Sequence, residues 1–381
     1  MQNASASAES TETSYNPASI RIAYFISPHG FGHAARACAI MSVLQNQNPA
    51  IHFEIYTRVP SWFFAQQNGL SFSYHEVLTD VGLVQTDPMR HDLPATLSAL
   101  ERFIPTCQGD GLRMLADELA KLQCRLVVSD ISPLGIVAAN QAGIPSILVQ
   151  NFTWDWLYKP YVPAYPKFAA LISWMQEVYH SCSHVIRAIP FCPMLDSQQR
   201  IDLTAQPISR AVSQSIPETR RALGCTADDK IIALTMGGVE GDNAIAADLA
   251  RKSDYIFMST GRSHRIARHD NLIILPRQLP IPHPDIMNAC DLVIGKPGYS
   301  TMSEVYYAGI PFWYFTREDF LENGPLADFA DKNMHGVNVT DEMLIQGGWL
   351  EQLDVSLALP RLSRHHENGA MQAADFILSL L

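Results

Sequence analysis

The chain has 381 residues, of which 47% are hydrophobic, and a formal net charge of −11. The length favours two domains with large cores; the acidic balance excludes a broad surface for a nucleic-acid backbone but leaves room for a basic pocket holding one nucleotide. Seven scattered cysteines, an odd number without paired spacing, exclude a disulfide framework and read as reduced, buried thiols of a cytoplasmic protein.

Residues 1–19 are rich in Ser, Thr, Ala, Asn and Glu, lack an apolar core and a basic start, and read as a disordered tail, not a signal peptide. A first domain is expected over 20–207. Ile20 to Ile26 is apolar and β-rich, the pattern of a buried strand. The turn Ser27-Pro28-His29-Gly30-Phe31-Gly32-His33 follows, and the small residues Ala34 to Met41 then favour a helix. A turn feeding a helix N-terminus offers free N–H groups and partial positive charge to a phosphate or another anion. Gly30 and Gly32 let backbone approach a ligand, and His29 and His33 add the side chain that changes charge near neutral pH.

Ile51 to Thr57 predicts a strand, and Pro60 to Asn68 a short helix stopped at Gly69. Within it, Trp62-Phe63-Phe64 reads as core, the alternative being an apolar membrane-facing patch. One long helical stretch is expected from Pro94 to Gln123. Arg125 to Asp130 is a strand ending in a carboxylate; a helix to Ala142, a stop at Gly143 and the strand Ser146 to Gln150 follow. Trp154, Asp155 and Trp156, just beyond that strand, suit stacking and hydrogen bonding to a sugar; the alternative is a structural aromatic cluster. Cys182, His184 and Cys192 lack the second pair that would complete four zinc ligands. No apolar run reaches the ~18 residues of a membrane-spanning helix. The alternation of elements predicts a parallel sheet with helices on both faces.

From Phe191 to Ser215 periodicity is lost, which predicts a linker. A second α/β domain is expected over 208–365, with a helix from Pro217 to Leu223 and a strand from Lys230 running into Gly237 and Gly238. Further strands are Tyr255 to Thr260, Asn271 to Leu275 and Asp291 to Gly295. Ligands of open parallel sheets sit beyond the carboxyl ends of the strands, where all these marked residues fall. There, Gly295-Lys296-Pro297-Gly298-Tyr299-Ser300-Thr301 makes a second glycine turn into a helix, chemically a diphosphate seat. Glu304, one helical turn on, suits the two hydroxyls of a ribose. The alternative is a capping arrangement with Ser300 as cap and Glu304 exposed.

The segment Asp291 to Pro311 (DLVIGKPGYSTMSEVYYAGIP) resembles the donor-nucleotide signature of GT-B glycosyltransferases, in the branch of the peptidoglycan N-acetylglucosaminyltransferase. The opening turn is similar to that family's acceptor-side loop, whose terminal histidine maps to His33. Four stretches, His29 to Arg36, Val128-Ser129-Asp130, Asn151 to Trp156 and Arg317 to Phe320, resemble the glycosyltransferase-like N-terminal domain of plant L-arabinokinase. That likeness implies that the chain ends where the kinase domain of arabinokinase begins.

The resemblance implies an α/β architecture of GT-B type, two Rossmann-like domains facing across a cleft, with a C-terminal helix over 366–381 packing back on the first domain. It implies an inverting, metal-independent transfer from a nucleotide-diphosphate sugar, a uridine one, to a small-molecule or lipid-linked acceptor, with no cofactor. Gly237, Gly238, Gly298, Ser300 and Thr301 would take the diphosphate, with Lys296 where relatives carry arginine or serine, and Glu304 the ribose. Glu322 and Asn323 would meet the donor sugar, and His29, Gly30, Gly32, Asn151, Trp154 and Asp155 would line the acceptor side. His33 is the candidate base, as against a phosphate contact or a packed loop residue; Asp130 is either the base or the group that orients a histidine. Two other functions fit the same architecture: a 2-epimerase of nucleotide sugars, and a sugar-nucleotide-binding regulatory module without turnover.

Overall fold

The structure is a computed structural model that describes residues 19–67, 69–87, 90–193, 200–235, 252–261, 264–276, 278–316, 320–340, 343, 349 and 352–381. Two seven-stranded sheets organise it. The first comprises β1 (Ile20–Ile26), β2 (Ile51–Thr57), β3 (Phe72–Glu76), β6 (Cys124–Asp130), β7 (Ser146–Gln150), β8 (His184–Ala188) and β9 (Leu203–Ala205), with a small ribbon of β4 (Gln85–Asp87) and β5 (Arg90–His91) outside it. Its order is β3-β2-β1-β6-β7-β8-β9, and every pairing is parallel. The second comprises β10 (Lys230–Thr235), β11 (Tyr255–Thr260), β12 (Ala267–His269), β13 (Leu272–Leu275), β14 (Leu292–Gly295), β15 (Phe312–Tyr314) and β16 (Gly336–Asn338), in the order β12-β13-β11-β10-β14-β15-β16. Only β12 there runs antiparallel.

Both sheets are doubly wound: strands add outward on one side of the first strand, then the chain crosses to the other side. The crevice at that reversal is where such sheets bind ligands. In the first sheet it lies between β1 and β6, where Ile26 pairs with Asp130. In the second it lies between β10 and β14, where Thr235 pairs with Gly295.

Alternation along the strands gives each sheet a core on both faces. In β1, Ile22, Tyr24 and Ile26 face the helix Gly32–Gln47 and the C-terminal helix Gly369–Leu378, whose Ala370, Ala373 and Ile377 are buried there. Ala23 and Phe25 face the opposite core with Leu97, Leu119, Leu134 and Met175. Phe63 and Phe64 are buried against the first sheet, so those two rings do not form a membrane-facing patch. Among the described residues no helix is long and apolar enough to cross a membrane.

The structure corrects three element readings. The stretch from Pro94 to Gln123 is two helices, Leu93–Phe103 and Gly109–Lys121, separated by a 3-10 turn. Pro105 lacks the N–H a continuous helix needs, and Gly109 turns the chain at φ 67°. The expected linker contains β9, which extends the first sheet. Strands β3, β8, β12, β15 and β16 are short and were not read from the pattern.

Candidate functional site

The turn after β1 reverses at Gly30 (φ 76°), a left-handed position that favours glycine. The helix it enters starts at Gly32, with no side-chain cap at Phe31. His33 and Arg36, one turn apart on that helix, face the same way and meet the carboxylate at the end of β6. His33 Nδ1 lies 2.6 Å from Asp130 Oδ1; Arg36 donates to Oδ1 through Nη2 (2.5 Å) and to Oδ2 through Nε (2.7 Å). Asp130 is fully buried. Burial alone would raise its carboxyl, but the Arg36 charge and the His33 contact outweigh that and hold it below the ordinary range. The carboxylate is therefore ionised and can only accept, so the hydrogen of this contact sits on Nδ1, which in a neutral imidazole leaves the lone pair on Nε2. Ile131 follows in the left-handed region (φ 49°), a costly conformation for a β-branched residue, anchored by the Tyr179 hydroxyl donating to its carbonyl at 2.9 Å.

Both Asp130 oxygens are held in this way, and none of the side chain is exposed. His33 is 9% exposed.

Three acceptor-side candidates are buried. Asn151 is buried; its Nδ2 donates to the carbonyls of Ala188 (2.8 Å) and Pro190 (2.7 Å), and its Oδ1 accepts from Arg36. It is a clamp beneath the dyad. Trp154 is fully buried, with Nε1 donating to Asp80 Oδ2 at 2.9 Å, so it offers no open face for stacking. Asp155 is buried beside it, and its carboxyl is raised by that burial. The Trp154 ring instead forms the wall behind His29 (5.4 Å) and His33 (6.3 Å). His29 is pushed down to about 3, first by desolvation and then by the charges of His33, Lys296 and His91, so its ring is neutral at physiological pH.

The second crevice carries the helix Tyr299–Ala308, entered from Gly298 without a side-chain cap. Ser300 is not the cap: its Oγ donates to the Gly32 carbonyl at 2.7 Å, joining the two halves of the chain. A Cβ at Gly32 would lie 3.4 Å from that hydroxyl. The two uncapped helix N-termini thus converge, with Thr301 in the same first turn and the Lys296 ammonium 5.6 Å from the Phe320 ring. Gly237, Gly238 and Arg317 to Asp319 lie outside the described residues.

Glu304 is buried, contrary to the exposed alternative. Its Oε1 accepts from Arg210 Nε (3.0 Å) and Nη2 (2.8 Å), and its Oε2 meets His283 Nδ1 at 2.5 Å. Burial would raise this carboxyl, but the charges and hydrogen bonds of Arg210 and His283 bring it down to about 2. A carboxylate offers about four lone-pair sites, so three are occupied. Asn323 starts the helix Asn323–Asn333 and is buried; Glu322 precedes it, and its charge acts on the Tyr299 hydroxyl and the Cys192 thiol. Those two groups lie 3.1 Å apart.

Arg36, Arg210 and His283 were absent from the sequence-based site. Arg36 had a signal, a cation one turn from His33 in a helix of small residues. Arg210 had none, lying in a stretch without periodicity. Among the described residues no group of three or more His, Cys, Asp or Glu is placed to hold a metal ion.

No protein-family model matches the chain. It is 30% identical over 361 residues to L-arabinokinase from Arabidopsis thaliana, covering 93% of this chain and 34% of that protein, so it spans about a third of that curated relative. Among solved structures it is similar to a UDP-glucosyltransferase from Polygonum tinctorium (13% identity, TM-score 0.61, covering 95% of this chain and 98% of that one). It is also similar to MurG from Acinetobacter baumannii (16%, 0.51, 94% and 99%). These likenesses show the fold: the chain has the GT-B architecture of two Rossmann-like domains.

Proposed function

We propose that this chain is an inverting glycosyltransferase, moving a sugar from a uridine-diphosphate donor to an acceptor hydroxyl in the cytoplasm. The observation that carries the proposal is the buried pair of His33 and Asp130, which turns Nδ1 to the carboxylate and so makes Nε2 the nitrogen that would act as base. Nε2 takes the proton of the acceptor hydroxyl, and the oxygen attacks the anomeric carbon from the side opposite the diphosphate. The bond to the diphosphate breaks and the configuration inverts. The Asp130 charge stabilises the imidazolium that forms, as a carboxylate does in a hydrolytic triad.

The departing diphosphate gains negative charge where the two uncapped helix N-termini converge, and their N–H groups, the Ser300 and Thr301 hydroxyls and Lys296 are suited to receive it. Glu304 is the ribose candidate. With three of its lone-pair sites occupied, it binds both hydroxyls of a diol only if Arg210 or His283 yields a hydrogen bond. Seven unpaired cysteines fit a reducing compartment.

Incubating the protein with a panel of UDP-sugars and following UDP tests the reaction class. Release that depends on an added hydroxyl compound supports transfer. Reversible interconversion of the sugars without acceptor would instead make it an epimerase, and tight binding with no product would make it a binding module.

A further inference from the structure

The helix at the second crevice starts with an aromatic residue, Tyr299, directly after Gly298. Binding a diphosphate through backbone N–H groups and hydroxyls makes no use of a ring at this position. The ring instead packs on both halves of the molecule, against the core of the second sheet and against that of the first.

On the first half it meets the surroundings of the base at two points. Its ring is stacked on that of Phe152, with centroids 5.7 Å apart and planes at 27°. Its Oη lies 3.1 Å from Sγ of Cys192, whose backbone N–H donates to the Asn151 carbonyl at 2.7 Å. Asn151 in turn accepts from Arg36, and Phe152 meets His33 edge-to-face at 6.1 Å and 64°. The donor-side helix therefore reaches the proposed base through a single intervening ring.

His33 needs a support of this kind. Its hydrogen bond to Asp130 fixes one nitrogen and leaves the imidazole free to tilt about that bond, so the rings beside it set the tilt. Those rings are Trp154, at 6.3 Å, and Phe152. Trp154 is locked by its own hydrogen bond to Asp80 (2.9 Å). Phe152 has no polar atom and is held by packing alone, with Trp154 at 5.3 Å and 80° and Tyr299 over its face. A reacting group misplaced by about 1 Å can lose on the order of a hundredfold in rate. The contact of the Tyr299 hydroxyl is the weaker of the two. Burial and then the Glu322 charge push that hydroxyl well above its ordinary range, and burial pushes the Cys192 thiol up to about 12. Both keep their protons, so the bond between them is a neutral one to sulfur, a weak partner.

We propose that Tyr299 is a positioning residue: its ring, acting through Phe152, sets the His33 imidazole relative to the helix suited to receive the diphosphate. The assignment takes its purpose from the transferase reading, but the placement of His33 can be read without turnover.

The test follows the His33 ring by NMR in the full chain carrying isotope-labelled histidine, its signal being the one missing from His33→Gln. Tyr299→Leu keeps an apolar, helix-favouring residue and removes the flat face; Tyr299→Phe keeps the face and removes the hydroxyl; Phe152→Leu removes the intervening ring. Thermal melts confirm that each variant is folded. The expected result is a displaced His33 signal in Tyr299→Leu and in Phe152→Leu, with no further displacement when the two are combined. The signal stays near native in Tyr299→Phe, and UDP affinity stays within about threefold of native in both Tyr299 variants. With the donor and acceptor that the UDP-release panel identifies, turnover falls about tenfold or more in Tyr299→Leu at unchanged donor KM and is restored in Tyr299→Phe. An unmoved His33 signal in the folded variants lacking a ring, additive displacement in the double variant, or equal effects of Tyr299→Phe and Tyr299→Leu would overturn the proposal. So would a loss of UDP affinity that accounts for the whole loss of turnover. If the signals behave as described but no UDP-sugar gives acceptor-dependent release of UDP, the transferase reading fails while the placement of His33 by Tyr299 stands.

Discussion

Asp130 holds two partners of different kinds, and its replacement separates two roles. In Asp130→Asn the amide can turn its NH2 toward Nδ1, which moves the histidine's hydrogen to Nε2, where the lone pair is needed. Turnover is expected to fall roughly 10²- to 10⁴-fold with donor affinity nearly unchanged, measured by UDP release and by UDP titration. Asp130→Ala goes further, leaving the buried Arg36 guanidinium without its anion, and denaturant unfolding should show a loss of about 3–5 kcal/mol. Glu304 gives a pH signature. Its carboxyl lies at about 2 in the folded chain against an ordinary 4.5, so the unfolded chain binds more protons between these values. The stabilisation, about 3 kcal/mol by linkage, is complete above pH 4.5 and is lost as pH falls toward 2. Asp80 has the opposite sign: raised from 3.8 to about 7, it makes stability decline as pH rises through that window. Unfolding followed against pH should therefore lose the Glu304 share of its acid limb in Glu304→Gln and keep the Asp80 decline. His33 and Asp130 were legible as candidates because each ends a strand–turn motif. Burial was not legible: nothing in Asn151-Phe152-Thr153-Trp154 says which side chains point away from the crevice.

The helix Tyr299–Ala308 illustrates how an element's end fixes its functional start. It stops at Gly309, whose φ is 69° and where a Cβ would lie 2.2 Å from the Leu362 carbonyl oxygen. Gly309→Ala is strained both by its conformation and by that contact, and should cost about 2–4 kcal/mol in urea unfolding. Because Ser300, Thr301 and Glu304 ride on this helix, UDP affinity should fall with it. The strands bounding each crevice were legible from apolar runs closed by glycine or a carboxylate, as in β6 and β14. Three-residue strands such as Leu203–Ala205 were not, since three residues cannot establish a period of two. The break at Pro105 was available in the sequence, but the apolar spacing on either side runs across it and conceals it.

At the scale of the whole molecule, the halves are joined where the chemistry is proposed. Ser300 reaches Gly32, Gln66 Nε2 donates to the Leu279 carbonyl at 3.1 Å, and Arg210 lies 5.6 Å from the Phe63 ring while holding Glu304. The C-terminal helix adds a tie, with Asn368 bonded to both the N–H and the carbonyl of Ser209. Two doubly wound sheets follow from alternating strands and helices, so this architecture was legible. The Arg210–Glu304 pair, 94 positions apart and starting in an aperiodic segment, was not. The central claim is that the turn between the first strand and its helix supplies the base. The most direct test is the rate of acceptor-dependent UDP release from UDP-sugars, compared between the native chain and His33→Gln. The account predicts a fall of roughly 10²- to 10⁴-fold with UDP affinity preserved, whereas near-native release by the variant would contradict it.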